Sequence, residues 1–173
     1  MLLKLLGCVV VMAASAFLGY ILSRDCYSRP QELRELQGML QMFENEISYL
    51  SNLLADAFGK ISESSRSPVA GIFRETVRNL KNGDRMSASL AWESAVRSVI
   101  KETSLNREDE TVLISFGRIL GSSDLEGQLK NIRLTLNQLK LQEKKAEESK
   151  ERNEVMYKRL GVLAGAAIVI VLL

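Results

Sequence analysis

The fold of this chain is decided by the stretch PQELRELQGMLQMFENEISYLSNLLADA, residues 30–57. Its apolar side chains recur at spacings of three and four residues, the period of one face of an α-helix. Proline at position 30 favours a helix start, because its missing N–H would be unbonded in the first turn anyway. We therefore predict one long amphipathic helix, whose buried stripe is Leu33, Leu36, Leu40, Phe43, Ile47, Leu50, Leu54 and Ala57.

Turn-forming residues divide the rest of the middle region into further helices. Gly59 and the SESSRSP stretch at 62–68 end the first helix, an Asn-Gly-Asp turn at 82–84 ends the second, and Gly121 follows the fourth as a C-terminal cap. Apolar faces with helical spacing include Leu90, Trp92, Ile119, Leu120, Leu125, Leu129, Ile132, Leu136 and Leu139, and Trp92 is expected in the core. No strand-period run of any length is present, so the predicted fold class is all-α, an antiparallel bundle of five to six helices.

Helix starts are marked by capping residues. Ser87 and Asn106 precede the third and fourth helices, and Ser122, Ser123 or Asp124 precedes the last. Acidic residues at 108–110 also favour the positive end of the fourth helix.

Both ends of the chain are apolar. Residues 5–22 contain no charge and would rise about 27 Å as a helix, close to the ~30 Å hydrocarbon core, so we predict an N-terminal transmembrane helix. Ala14-Ser15-Ala16 resembles a signal-peptide cleavage site and is the alternative interpretation. Residues 160–173 rise only about 21 Å, which predicts a membrane segment that continues the last long helix and leaves a full crossing open.

Basic residues concentrate on the inner sides of the two apolar segments. Six lysines and arginines lie between positions 144 and 159, whereas only Lys4 precedes the first segment. Because cytoplasmic flanks carry the excess of lysine and arginine, we expect a hairpin with the middle region in the cytoplasm. The charged run at 142–159 is predicted to be an exposed stalk, which places Asp124 about 55 Å from the membrane edge. The predicted organisation is an anchor at 1–24, a bundle at 25–141, this stalk, and a membrane segment at 160–173.

The composition excludes several classes of function. The chain has no histidine and only two cysteines, Cys8 and Cys26, so the commonest general base and the commonest metal ligand are missing. A net charge of +2, without a basic patch interleaved with aromatic residues, argues against nucleic acid. No GxxxxGK[ST] or GxSxG motif occurs. We therefore expect a protein that is not an enzyme, with no catalytic, cofactor-binding or metal-binding residues and no cofactor.

Three stretches together resemble a known family. They are SRPQELRELQGMLQMFENEISYL (28–50), LKNG (80–83) with Trp92 downstream, and FGRILGSSDLEGQLKNIRLTL (116–136). With the membrane tail, they resemble stage III sporulation protein AB of endospore-forming bacteria, over essentially the whole chain. That family in turn resembles the cytoplasmic domain of the inner-membrane platform proteins of type II secretion and type IV pilus systems.

The resemblance implies a place and partners. Such proteins are expected in the mother-cell membrane around the forespore, with the bundle facing the cytoplasm, as scaffold or platform of a multi-protein sporulation channel. A secretion-type ATPase is the implied partner, with other channel proteins and the membrane. The chain departs from secretion platforms in having one helical domain and two membrane segments, a difference that a homo-oligomer would make up.

Four residues are candidates for contact with a partner: Glu46, Gly121, Asp124 and Gln128. Each has a simpler interpretation. Glu46 would lie on a solvated helix face or pair with an arginine of a neighbouring helix, capping explains Gly121 and Asp124, and Gln128 would lie on the surface. The alternative function is a coiled-coil membrane sensor that transmits a signal through its stalk.

Overall fold

Six α-helices and a short 3₁₀ helix make up the part of the chain that the computed structural model describes, residues 27–48, 54–82, 86–122 and 124–172. They are α1 (residues 27–48), α2 (Leu54–Glu63), α3 (Ala70–Asn82), α4 (Ala88–Val99), the 3₁₀ helix Ile100–Glu102, α5 (Arg107–Gly117) and α6 (Leu125–Leu172). These described ranges contain no strand, so the predicted all-α fold class is confirmed. The predicted N-terminal anchor lies outside them.

The predicted single helix over residues 30–57 is wrong. The rings of Phe43 and Phe58 lie 4.7 Å apart, and Lys60 Nζ lies 2.9 Å from Glu46 Oε2. Fifteen residues of continuous helix would separate Phe43 from Phe58 by about 22 Å, so α1 and α2 pack side by side as two helices. Gly59 lies inside α2 and does not end it. Helical periodicity continues across both helices, and for that reason the pattern alone did not separate them.

Helix α6 lies antiparallel to α1. Near the start of α1, Arg34 forms ion pairs with Glu143 (2.6 Å) and with Glu147. Near its end, Glu44 pairs with Arg133 at 2.6 Å. Residue numbers rise along α1 while those of their partners fall along α6, which confirms the predicted antiparallel packing for this pair.

The other side of α6 packs antiparallel to α5. Lys145 Nζ lies 2.8 Å from Glu108 Oε2, and fourteen residues earlier in α6, Asn131 Nδ2 donates to the carbonyl of Phe116 at 3.0 Å. Helix α6 therefore lies between α1 and α5, and each of these two helices is aligned by its contacts with α6.

Five aromatic rings form the centre of the core, one from each of α1 to α5, with centroids 4.7 to 6.3 Å apart. Trp92 is fully buried and its Nε1 donates to the carbonyl of Leu113 at 2.7 Å, so its predicted core position is confirmed. The rings are Phe43, Phe58, Phe73, Trp92 and Phe116. Around them lie residues of the two predicted stripes, namely Leu33, Leu36, Leu40, Ile47, Ala57, Ile132, Leu136 and Leu139, all buried.

Helix α6 continues for 48 residues without interruption, which confirms that the last long helix runs on through the C-terminal apolar residues. The prediction of an exposed stalk is wrong at its beginning, because Gln142 and Ala146 are 8% and 3% exposed. Lys150 Nζ lies 5.4 Å from the ring centroid of Tyr27, so α1 covers α6 up to this level. Among the described helices, none has an 18-residue window apolar enough to span a bilayer. The predicted domain limits stay a prediction.

Gly117 should tolerate no side chain, because a Cβ there would overlap Cδ1 of Trp92 and lie 3.0 Å from Cγ. We expect Gly117→Ala to lower the free energy of unfolding by about 1–3 kcal/mol, the usual cost of overpacking a core. Gly38→Ala is the matched control, since no atom lies within 4 Å of a Cβ at that site in α1. It should stabilise by up to about 1 kcal/mol. Urea unfolding followed by the fluorescence of Trp92 measures both, and equal effects would contradict this packing.

Acid should weaken the contact between α1 and α6. Burial raises the pKa of Glu143, but hydrogen bonds from Gln37 and Arg34 outweigh it, and the net pKa lies below the ordinary 4.5. A carboxyl group with a lowered folded pKa contributes stability above its unfolded pKa, and this contribution is lost as pH falls through the folded value. As the pH falls below about 4.5, the free energy of unfolding of Glu143→Gln should therefore decrease less than that of the wild type. Glu148→Gln, at an exposed position of α6, should keep the wild-type pH profile; a flattened profile there would contradict the assignment.

Candidate interaction surface

The bundle has two ends that differ in the residues they present. At the proximal end α1 begins, α2 is joined to α3, and α4 is joined to α5. At the distal end α1 ends, α4 begins, and α5 is joined to α6 by residues 118–124. All four candidate residues lie toward the distal end: Glu46 in the last turn of α1, and Gly121, Asp124 and Gln128 in or beside the connection from α5 to α6.

Gly121 reverses the chain in the connection after α5. Helix α5 ends at Gly117, earlier than predicted, and hydrogen bonds from Leu120 N to Gly117 O (3.1 Å) and from Ser122 N to Ile119 O (3.2 Å) close the following turns. Gly121 therefore does not cap α5 directly. Its φ is +75°, and a Cβ would lie 3.2 Å from Cβ of Ala88, so both the backbone conformation and the space favour glycine.

Asp124 is the N-cap of α6. Its Oδ1 accepts a hydrogen bond from the N–H of Gly127 at 3.0 Å, and its carbonyl accepts from the N–H of Gln128 at 3.0 Å. Its carboxylate thus satisfies an N–H that has no partner within the helix. Of the three residues predicted as caps, Asp124 has this role.

Gln128 and Asn131 hold the end of α5. Gln128 Nε2 donates to the carbonyl of Ile119 at 2.8 Å, and Asn131 Nδ2 donates to that of Phe116. Carbonyls at a helix C-terminus lack partners within their helix, so the two amides act as caps from a neighbouring helix. Gln128 is 8% exposed, so its predicted surface position is wrong. Sequence reasoning missed Asn131, although its spacing of three from Gln128 indicates the same helix face.

Glu46 joins α1 to α2. Its Oε2 lies 2.9 Å from Nζ of Lys60, and its side chain is 24% exposed. The neighbouring helix therefore supplies a cation, as one of the two interpretations anticipated, although this cation is a lysine.

Exposed apolar side chains cluster at the distal end. Among the described residues, four of the nine exposed large hydrophobic side chains lie at this end, in or beside the residues where its helices begin or end. The predicted core positions of Leu90, Ile119 and Leu125 are wrong, because these side chains are 58%, 40% and 49% exposed. Exposed apolar groups concentrated in one region indicate a site of protein contact, and methionine is enriched at such sites. We call this set the distal apolar surface: Met86, Leu90, Ile119 and Leu125.

A buried ion pair, which sequence reasoning also missed, lies at the proximal end. Arg29 donates from Nε to Asp109 Oδ2 (2.8 Å) and from Nη2 to Oδ1 (3.0 Å), and Nη2 also donates to Gln142 Oε1 at 3.2 Å. Asp109 is fully buried, and its Oδ2 accepts from the N–H of Asn106 in a capping box. The asparagine-to-aspartate spacing of three indicated the cap but not the arginine. This pair is structural, since its hydrogen bonds join α1, α5 and α6.

No group of three or more histidine, cysteine, aspartate or glutamate side chains that could hold a metal ion occurs in the part of the chain that the structure describes.

Comparison with known proteins identifies the family. The family model for stage III sporulation protein AB matches residues 4–173. The chain belongs to the stage III sporulation protein AB family. A family member from Bacillus subtilis (strain 168) is 35% identical over 171 residues, which cover 99% of each chain. A solved structure of a stage III sporulation protein AB superimposes with a TM-score of 0.68 at 34% identity, covering 72% of this chain and 98% of that one. The resemblance in the sequence is confirmed, and the family relates the chain to sporulation.

Asn131 should contribute more to stability than Gln128, although both donate to carbonyls at the end of α5. Asn131→Leu would leave the carbonyl of Phe116 without its side-chain donor, at a cost of about 1–3 kcal/mol. Gln128→Leu should cost less, because Ile119 O still accepts from Ser122 N and because the variant removes Oε1, a buried acceptor without a partner. Urea unfolding of both variants tests the order. A larger loss in Gln128→Leu would contradict this account.

Proposed function

We propose that this chain is a membrane-anchored, non-enzymatic scaffold of a sporulation channel, and that its bundle offers a docking surface to a secretion-type ATPase. The continuity of α6 carries the proposal. This helix begins at the distal end, passes between α1 and α5, and continues to Leu172 through the apolar residues 160–172. A bundle built around such a helix moves as one body with its C-terminal apolar segment, which is what an anchored platform requires.

Chain length sets the height of the bundle above the bilayer. Lys150 is level with Tyr27, and ten helical residues from there to Leu160 rise about 15 Å. On the other side, five residues from Leu22 to Tyr27 span at most about 18 Å. With both apolar segments in one membrane, the proximal end therefore faces the bilayer at close range. The distal end points away from it, into the mother-cell cytoplasm in the proposed topology.

The distal apolar surface is the proposed docking site for the ATPase. It lies at the end remote from the apolar segments, where a cytoplasmic partner has free access. Residues with polar side chains border it, including Arg118, Asp124 and Glu126, all exposed. An apolar centre with a polar rim is the usual composition of a specific protein interface.

Homo-oligomers and other channel proteins complete the proposed assembly, because two apolar segments in one chain do not enclose a pore. The alternative of a coiled-coil sensor needs a free seam along the stalk. Gln142 and Ala146, which would contribute to such a seam, are buried against the chain's own bundle. The scaffold is therefore the better supported function.

Substitution of the distal apolar surface should separate docking from folding. In Ile119→Gln with Leu125→Gln, we expect co-purification of the ATPase from sporulating cells to fall at least about tenfold, since each apolar side chain buried in an interface contributes about 1.5–3 kcal/mol. Spore formation should fall as well, while urea unfolding stays unchanged because both side chains are exposed.

The matched control is Leu134→Gln with Leu141→Gln, two leucines of α6 that are 57% and 56% exposed and lie outside the distal end. This variant should retain the ATPase. Equal loss in both variants would indicate a general effect of lost apolar surface, and full retention in the distal variant would exclude the proposed docking site.

A further inference from the structure

The outer side of α6 carries exposed leucines that no described helix of this chain covers. Leu134 and Leu141 are 57% and 56% exposed, and they lie seven residues, or about two helical turns, apart. Asn137 and Gln138, which are also exposed, share their side of the helix. On the opposite side of the same turns, Leu136 is buried in the core. We call the exposed side of α6 between residues 130 and 145 the lateral face.

The lateral face is strongly positive. Nine side chains of α6 in this range are exposed, and they comprise the two leucines, the two amides and five cations, with no carboxylate. The acidic residue in this range of sequence is Glu143, which is partly buried and bonded to Arg34 and Gln37 of α1. The five cations are Lys130, Arg133, Lys140, Lys144 and Lys145.

The neighbouring helices neutralise only part of this charge. Arg133 pairs with Glu44 of α1 at 2.6 Å, and Lys145 pairs with Glu108 of α5 at 2.8 Å. Among the exposed residues of the described α1 and α5, Glu108 is the only one with a carboxylate. The two edges of the lateral face are therefore neutralised, whereas its centre keeps its positive charge.

Three lysines of the lateral face have no partner in the part of the chain that the structure describes. Lys130, Lys140 and Lys144 form no hydrogen bond and no ion pair there, and Lys140 acts on Glu143 only as a nearby charge. Unpaired cations beside an exposed apolar stripe complement a surface that is itself apolar and negatively charged.

We propose that the lateral face binds an acidic amphipathic helix of a partner protein. Two leucines at heptad spacing match the apolar stripe of a second helix that packs along α6, and the amides of Asn137 and Gln138 bond to polar groups at its margin. Carboxylates of the partner helix face the unpaired lysines, which attract it and set its orientation. A second copy of this surface does not match in the same way, because cations would then oppose cations. This proposal does not rest on the proposed function.

Other anionic partners fit the lateral face less well. Leu141 precedes Leu160 by nineteen residues of continuous helix, so about 28 Å separates it from the C-terminal apolar segment. The leucines also project from the side of α6 and not from the end that continues into this segment, so a lipid surface does not reach them in the proposed topology. Nucleic acid would contact the lysines through its phosphates, but it would leave the two leucines without an apolar partner.

Peptide binding to the full chain in detergent tests the proposal. The probe is a blocked, fluorescein-labelled peptide of three heptads, with leucine at the two seam positions of each heptad and glutamate at the flanking positions. One control peptide carries lysine in place of glutamate, and a second has the same composition in scrambled order. Fluorescence anisotropy should show saturable binding of the acidic peptide, and binding of both control peptides should be at least about tenfold weaker.

Two double variants locate the site. Leu134→Gln with Leu141→Gln should weaken binding of the acidic peptide at least about tenfold, because it removes the apolar stripe. Lys130→Gln with Lys144→Gln should weaken it about threefold to tenfold and reduce its dependence on salt, because salt screens the attraction between exposed charges. All four side chains are exposed, so urea unfolding of both variants should match that of the wild type.

The matched controls carry the same chemical changes elsewhere on the chain. Lys81→Gln with Lys101→Gln removes two exposed lysines, and Ile119→Gln with Leu125→Gln removes two side chains of the distal apolar surface. Both should bind the acidic peptide as the wild type does. Co-purification of the ATPase should show the reverse pattern, with loss in the distal variant and retention in the lateral leucine variant. Failure of this proposal is therefore distinguishable from failure of the proposed function.

Several results would overturn the proposal. Equal affinity for the acidic and the scrambled peptide would show that charge alone is recognised, and wild-type affinity in both lateral variants would place the site elsewhere. Displacement of the peptide by an oligothymidylate or by anionic lipid in mixed micelles would identify a general polyanion surface. Self-association in sedimentation experiments that the lateral leucine variant abolishes would identify a second copy of the chain as the occupant.

Discussion

The ion pair between Arg29 and Asp109 is the interaction on which the alignment of the bundle depends. Asp109 is fully buried and accepts from Arg29 through both oxygens, and Arg29 also donates to Gln142. Breaking a buried pair by removing one partner typically costs about 3–5 kcal/mol, because the remaining charge is uncompensated. A shift of α1 or α6 by one turn would break it in the same way. The ion pair therefore fixes which turn of α6 lies opposite the first turns of α1 and α5. Apolar stripes alone would not determine this register.

This alignment gives the bundle two unlike ends. The exposed ion pairs along α1 and α6, such as Arg133 with Glu44, are each expected to contribute only about 0–1 kcal/mol. They are therefore too weak to determine how the two helices are aligned, and they form once that alignment is set. Once the level is set, the proximal loops enclose a polar cleft, while the distal connection from α5 to α6 leaves Ile119 and Leu125 in solvent. Surfaces of opposite character are thus separated by the length of the helices.

Much of the fold follows from sequence periodicity, and the side chains that it placed wrongly share one cause. Spacing of three and four residues predicted the buried stripes of α1 and α6, because side chains at these intervals lie on one helix face. The same pattern cannot tell whether a face is covered by another helix. Leu125 continues the α6 stripe beyond the end of its neighbours and is exposed, whereas Gln142 is polar but buried, and it accepts a hydrogen bond from Arg29. Contacts between helices, and not the local sequence pattern, therefore determine whether each of these two side chains is buried.

The residues of the family-like stretch are explained mainly by architecture. Asp124 caps α6, Gln128 satisfies a carbonyl at the end of α5, and Gly121 provides a left-handed backbone. Their hydrogen bonds are made within the chain, so they shape the distal connection rather than present groups to a partner. Their effect on a partner is indirect: a connection held in this way keeps Ile119 and Leu125 outside the core at fixed positions. For that reason we assign the proposed contact to these apolar neighbours, which sequence alone assigned to the interior.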